Sequence, residues 1–213
     1  MGNVGLLYVG AVLFINGAML LGWVEARSAA PMNVMVGILQ VVTPTYLIFT
    51  AGGDADTILG ASGLYLFGFT YLYVAFNLLW GIDGTGLGWF SGFVAVCALV
   101  YSWLNFTRFD DNAFGVIWLY WAFLWSLFFL LLGVRQERLG RYTGAVAAIQ
   151  GWVTGAIPAF LLLTGNFASR NDTIAVVLAV FGVVAFAGLW LGFPQLRQTA
   201  PAEQSPAATP APA

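Results

Sequence analysis

Six amide side chains fall inside the long apolar stretches of this 213-residue chain: Asn16, Asn33, Gln40, Asn77, Asn105 and Gln150. An amide carries both donors and an acceptor without net charge. Each of the six can simply hydrogen-bond a neighbouring helix, as polar groups in apolar surroundings do. As a set, they can also replace the water around a small neutral polar solute. The second feature with chemical content is aromatic. Trp118, Trp121 and Trp125 are spaced i, i+3 and i+7, and Phe114 continues the stripe, so the four share one helix face. The stripe rises about 16 Å at about 1.5 Å per residue, further than an interfacial aromatic belt held at one depth. Packing against another helix and a flat-walled slot for a planar solute both fit this pattern. Phe69 and Tyr73, one turn apart, offer a facing pair.

The charge inventory excludes several kinds of chemistry. The chain has 7 Lys and Arg residues together, 9 Asp and Glu, and no His. All seven cations are arginines, and no charged residue stands near the centre of an apolar stretch. Ion-coupled carriers and pumps use charge at depth to match the moving ion, so coupling to an ion gradient is not expected. A retinal-type Schiff base needs a lysine. A hydrolase needs His, Cys or paired carboxylates in one place. The single Cys97 allows neither a disulfide framework nor a Cys/His metal site. No cofactor, no metal and, at a net charge of −2, no nucleic-acid partner is expected.

The elements that must position these residues are membrane helices. With 61% hydrophobic and 8% charged residues, the chain is not a water-soluble domain. A spanning helix needs about 20 apolar residues, and that rule marks seven spans near 3–24, 30–51, 57–81, 85–107, 113–133, 142–164 and 173–193. Barrel strands would alternate apolar and polar residues over about ten positions, which these runs do not, so the expected fold class is all-α. Arg27, Arg135, Arg138, Arg141 and Arg197 share one side of the zigzag, which the positive-inside rule makes cytoplasmic. The N-terminus is then outside and the C-terminus inside. Residues 194–213, Pro- and Ala-rich from Thr199, read as a disordered tail. The pairs Gly88 and Gly92, Gly151 and Gly155, and Gly188 and Gly192 have the spacing that lets helix backbones approach closely. Pro44 and Pro158 lie inside spans and are expected to bend them.

At these residues the chain resembles the AmiS/UreI family of urea channels and amide transporters. The matches run in order: Leu6-Leu7-Tyr8-Val9-Gly10 with Asn16-Gly17; Met32-Asn33 with Val36-Gly37; Leu66-Phe67-Gly68-Phe69-Thr70-Tyr71-Leu72-Tyr73 with Asn77; Ile117-Trp118-Leu119 with Trp121 and Trp125; and Ile157-Pro158-Ala159. The resemblance implies a six-helix channel domain over 1–164 with a pore in each protomer, and a homo-hexamer with lipid at its centre. It assigns the pore lining to Leu6, Leu13, Asn16, Phe69, Tyr73, Trp118, Trp121 and Trp125. Phe114 stands where the urea channel has a Trp, and Gln150 where it has a Glu. The seventh span, over 165–193, departs from the six-helix pattern, as does the absence of the His residues that sense acid in gated members. The implied function is a passive channel, not acid-gated, in a bacterial inner membrane. It would conduct urea or short-chain aliphatic amides toward a cytoplasmic urease or amidase. An ion-coupled amide carrier and a non-transporting membrane scaffold are the alternatives.

Overall fold

The computed structural model describes residues 2–198, and every regular element among them is helical. Local chemistry sets the helix starts. Helix α1 spans Gly2–Leu20 and α2 spans Ala26–Thr50. Glu25 caps α2, its carboxylate accepting from the backbone N–H groups of Arg27 and Ser28, both at 2.9 Å. Asp54 caps α3 (Ala55–Ser62) through the Thr57 N–H at 2.8 Å. Gly63 then joins α3 to α4 (Leu64–Trp80), which stops at Gly81 in the left-handed conformation, φ 65°. Helix α5 covers Thr85–Thr107 and α6 covers Asn112–Phe128. Asp111 caps α6, accepting from the Phe114 N–H at 2.9 Å. The sixth span is composite: α7 (Gly140–Gln150), a π-helical turn over Gly151–Ala156, then α8 (Ile157–Leu163). Pro158 lies in the first turn of α8, directly after the π-helical turn. Pro44 is buried within α2, which continues through it. Helix α9 is Asn171–Gly192.

Among the described residues, seven helices are long and apolar enough to cross a membrane, and each overlaps one of the seven spans read from the sequence. Four boundaries shift by four or five residues, and of these the second span begins at Ala26 and the seventh at Ala168. The first span stops at Leu20, because Gly22 turns the chain at φ 83°. The sixth begins at Glu137, since a short 3₁₀ turn leads into α7. Of the expected disordered tail, Pro194–Arg197 forms a helical turn, with the Arg197 guanidinium 5.3 Å from the Trp190 ring centre. Residues 199–213 lie outside the described residues.

Glycines set the tightest helix contacts. A Cβ on Gly10 would lie 2.5 Å from the Gly151 oxygen and 2.7 Å from the Ala156 nitrogen, so α1 and the sixth span touch backbone to backbone. Gly88 abuts Gly133, and Gly92 abuts the Phe129 ring. Gly188 and Gly192 meet nothing within 4 Å, so that pair makes no close helix contact here. Helix α1 packs between α2 and the sixth span, α2 packs along α4, α5 packs along α6, and α9 lies on the outer side of α6. By contrast, α4 meets α5 and α6 meets α7 only lightly. Space therefore opens between the α1–α2–α4 group and the α5–α6 pair.

The loops sort by charge. At one end Arg108 pairs with Asp56 at 2.6 Å, Asn112 donates to Asp172 at 2.8 Å and Asn171 donates to Asp111 at 2.7 Å. We call this the aspartate end. At the other, Arg135 lies 3.6 Å from Asp83. Arg27, Arg138, Arg141 and Arg197 share this arginine end with it.

Candidate solute passage

Three cavities follow one another along the tryptophan face of α6. The aspartate-end chamber, 480 Å³, is walled by Leu6, Gln40, Phe67, Phe114, Trp118 and Trp121, with Asp56 and Asp111 at its mouth. The central chamber holds 30 Å³ between Leu13, Asn16, Phe67, Thr70, Tyr71, Ser91, Trp121 and Trp125. The arginine-end chamber, 230 Å³, is lined by Asn16, Val74, Asn77, Leu87, Phe128 and Leu132 among others. Phe67 and Trp121 belong to the walls of both the first and the second chamber. Asn16, Val74, Leu87 and Phe128 are common to the second and third.

The walls of the aspartate-end and central chambers are built from clamped rings. The Trp121 indole N–H donates to the Thr154 hydroxyl at 3.0 Å, and Thr154 in turn donates to the Gln150 carbonyl at 2.8 Å. Trp118 stacks on Tyr101, ring centres 4.6 Å apart and 18° from parallel. A Cβ at Gly63 would come within 3.1 Å of both of these rings, so the break between α3 and α4 makes room for the stack. Phe67 reaches three indoles, those of Trp118, Trp121 and Trp125, at centre distances of 5.9, 4.7 and 4.8 Å. Pairs at these distances prefer edge-to-face or offset geometry, which holds each ring in a defined orientation.

Between the rings lie a few polar atoms. Asn16 and Asn33 exchange hydrogen bonds across α1 and α2, at 2.9 and 2.7 Å, and Asn33 also donates to the Ala29 carbonyl at 2.9 Å. Thr70 and Ser91 donate to the carbonyls of Leu66 and Leu87 within their own helices. Their oxygens keep lone pairs free to accept. The Tyr71 hydroxyl is buried without a protein partner. Among the described residues, no carboxylate or guanidinium lines the central or the arginine-end chamber. The central chamber, at 30 Å³, has room for about two waters. A solute must shed most of its hydration to pass, which is prohibitive for an ion and modest for a neutral amide.

The sequence-derived site residues divide into three groups. The structure brings Leu6, Leu13, Asn16, Phe114, Trp118, Trp121 and Trp125 to chamber walls. Phe69 is elsewhere: it is 50% exposed and stacks on Tyr65 on the outer surface. Tyr73, on the same side of α4, reaches Gly86 of α5 and lines none of the three chambers. The α4 residues that face the tryptophans are Phe67, Thr70, Tyr71 and Val74. In the string Phe67-Gly68-Phe69-Thr70-Tyr71-Leu72-Tyr73, two aromatic pairs have the same i, i+4 spacing but lie about 200° apart around the helix. The pair named from the sequence, Phe69 and Tyr73, lines none of the three chambers. Gln150 is also displaced. It is fully buried behind the tryptophan face, where its Nε2 donates to the Tyr120 carbonyl at 3.0 Å. Gln40 takes a chamber wall instead.

Three kinds of comparison bear on this arrangement. The family model for AmiS/UreI family transporters matches residues 1–166, the first six spans. A proposed amidate-substrates transporter of Mycolicibacterium smegmatis is 56% identical over 200 residues, covering 94% of this chain and 92% of the relative. That length cannot fit within the first six spans, so the similarity continues into α9. The acid-activated urea channel of Helicobacter pylori strain J99 is 35% identical over 185 residues, covering 74% of this chain and 94% of the channel. The cryo-EM structure of the Helicobacter pylori urea channel in its closed state superposes with a TM-score of 0.71 at 33% identity, covering 79% of this chain and all of the other. These relatives are transporters and channels, not enzymes. With seven membrane-length helices, this is a multi-pass membrane protein, and the chain belongs to the AmiS/UreI family of transporters.

Proposed function

We propose that the chain is a passive channel, without acid gating, for urea or short-chain aliphatic amides. The observation that carries this reading is the line of three chambers along the tryptophan face, uncharged beyond its aspartate-end mouth. A planar neutral solute passes when the Phe67 and Trp121 rings, in edge-to-face contact at 4.7 Å, part to admit it, and then meets Asn16, Thr70 and Ser91 as alternative hydrogen-bond partners. Such partners replace water at little cost and release the solute readily.

The arginine-rich loops support an orientation with the N-terminus and the aspartate end outside and the C-terminus inside a bacterial inner membrane. The homo-hexamer and the link to a cytoplasmic urease or amidase follow from the family resemblance. Flux down the gradient toward such an enzyme needs no energy coupling.

Stopped-flow uptake into proteoliposomes tests this reading. Urea or acetamide is expected to equilibrate down its own gradient, well above the rate of protein-free vesicles and unchanged by ionophore. Accumulation beyond equilibrium that an ionophore collapses would point to a coupled carrier. Absence of any solute flux would point to a scaffold.

A further inference from the structure

Helix α9 grips α6 on the face that the passage does not use. At about 100° per residue, Tyr120 and Phe123 lie about 130° and 170° from the mean direction of Trp118, Trp121 and Trp125. Tyr120 is 5% exposed, and its hydroxyl donates to the Leu178 carbonyl of α9. A Cβ on Gly182 would lie 2.6 Å from that hydroxyl oxygen, so α9 presents a glycine where the tyrosine reaches it. Phe186 completes the contact, its ring centre 5.4 Å from that of Tyr120 and 5.5 Å from that of Phe123.

The same helix ties down the start of α6. Asn171 accepts from the Ala113 backbone N–H at 3.0 Å and donates to Asp111 at 2.7 Å. Asp172 accepts from Asn112 at 2.8 Å. The Ala113 N–H is one of the donors that a helix start leaves without an intrahelical partner, and Asn171 supplies its acceptor from across the fold. All of these partners lie beyond residue 166, where the match to the family model ends. With lipid in place of α9, the Tyr120 hydroxyl would face hydrocarbon without a partner, and the back of α6 would be free to yield.

The consequence falls on the constriction. Phe67 and Trp121 are in contact and must part for a solute, and Trp121 follows Tyr120 directly in the chain. How far α6 recoils depends on what stands behind it. We propose that α9 sets the size cut-off of the passage by limiting the recoil of α6, with Tyr120 and Asn171 as positioning residues. The seventh span is then part of the selectivity apparatus. This inference rests on the channel reading above.

The test measures permeability to acetamide and to butyramide in proteoliposomes carrying wild type, Tyr120→Phe, Asn171→Asp, or the exchanged pair Asp111→Asn with Asn171→Asp. Tyr120→Phe removes only the hydroxyl. Asn171→Asp sets two carboxylates against each other, and the exchange restores a donor facing an acceptor at the wild-type net charge. Both solutes are neutral, so charge at the mouth does not act on them directly. We expect the butyramide-to-acetamide ratio to rise about fivefold in each single variant, the worth of one hydrogen bond, and to return to within about twofold of wild type in the exchanged pair. An unchanged ratio in either single variant, equal slowing of both solutes, or no recovery in the exchanged pair shows that α9 only stabilises the fold. Each of these overturns the proposal while the channel reading stands. Wild-type vesicles that conduct no amide or urea overturn both.

Discussion

The Phe67 ring meets the Trp121 indole almost at right angles, with centres 4.7 Å apart and planes at 81°. One ring comes from α4 and the other from α6, two helices on opposite sides of the passage. Their meeting separates the 480 Å³ chamber from the 30 Å³ one. Most of the expectations below follow from which residues stand at that meeting and which stand behind it.

Phe67 and Phe69 should behave oppositely. Phe67 is 2% exposed, and Phe67→Ala should cost about 3–5 kcal/mol of stability. The milder Phe67→Leu should fold, pass acetamide faster and admit larger amides such as butyramide. Phe69→Ala should leave flux within about twofold and stability within about 1 kcal/mol, as for other exposed side chains. A solute series in vesicles, with thermal melts in detergent, checks both.

Trp121→Ala should change flux and weaken discrimination by solute size, because it removes a wall common to two chambers. Trp190 packs on Tyr142 and under Arg197, away from the passage. Trp190→Ala should leave the selectivity sequence of ureas and amides intact. Similar changes from the two substitutions would show that α6 does not wall the route.

The Asn16–Asn33 pair should be strongly coupled. Removing either partner strands a buried amide, at a cost of about 1–3 kcal/mol. Asn16→Leu and Asn33→Leu combined should be less destabilising than the sum of the two, with a coupling energy of about 1 kcal/mol. Denaturation of the four proteins of a double-mutant cycle in mixed micelles measures it, and additive costs would refute the reciprocal bond.

Gly10 and Gly188 have the same residue type in different surroundings. Gly10→Ala drives a methyl into the backbone of the sixth span and should prevent stable folding or cost several kcal/mol, as overpacking does. Gly188→Ala, with nothing within 4 Å, should be silent or slightly stabilising. Expression yield and melting midpoint distinguish the two.

Flux should be level between pH 5 and pH 7. Asp54 is held below the ordinary carboxylate range by the Thr57 side chain and backbone N–H, and Asp83 likewise by Thr85. A carboxylate with a depressed folded pKa stays ionised above its ordinary value near 4 and loses its bonds only as pH falls through the lower one. Both groups therefore remain charged throughout this window, and the chain has no His to titrate within it. A severalfold rise in urea uptake on acidification would refute ungated conduction.

The sequence by itself determined the seven spans, the uncharged interior and the common face of Trp118, Trp121 and Trp125. Each follows from a property internal to one segment: apolar length against bilayer thickness, or angular position along a single helix axis. Which residues face those indoles from across the passage was a tertiary decision. Phe67 with Tyr71, and Phe69 with Tyr73, are equivalent within α4, and only the rotation of α4 against α2 and α6 separates them. In a soluble helix, water marks the outer face by polarity. Here lipid and neighbouring helices are equally apolar, so hydrophobic contrast sets no rotation. Glycine contacts and interlocking rings set it instead, and these same contacts put Gln40 at the chamber wall and Gln150 behind it.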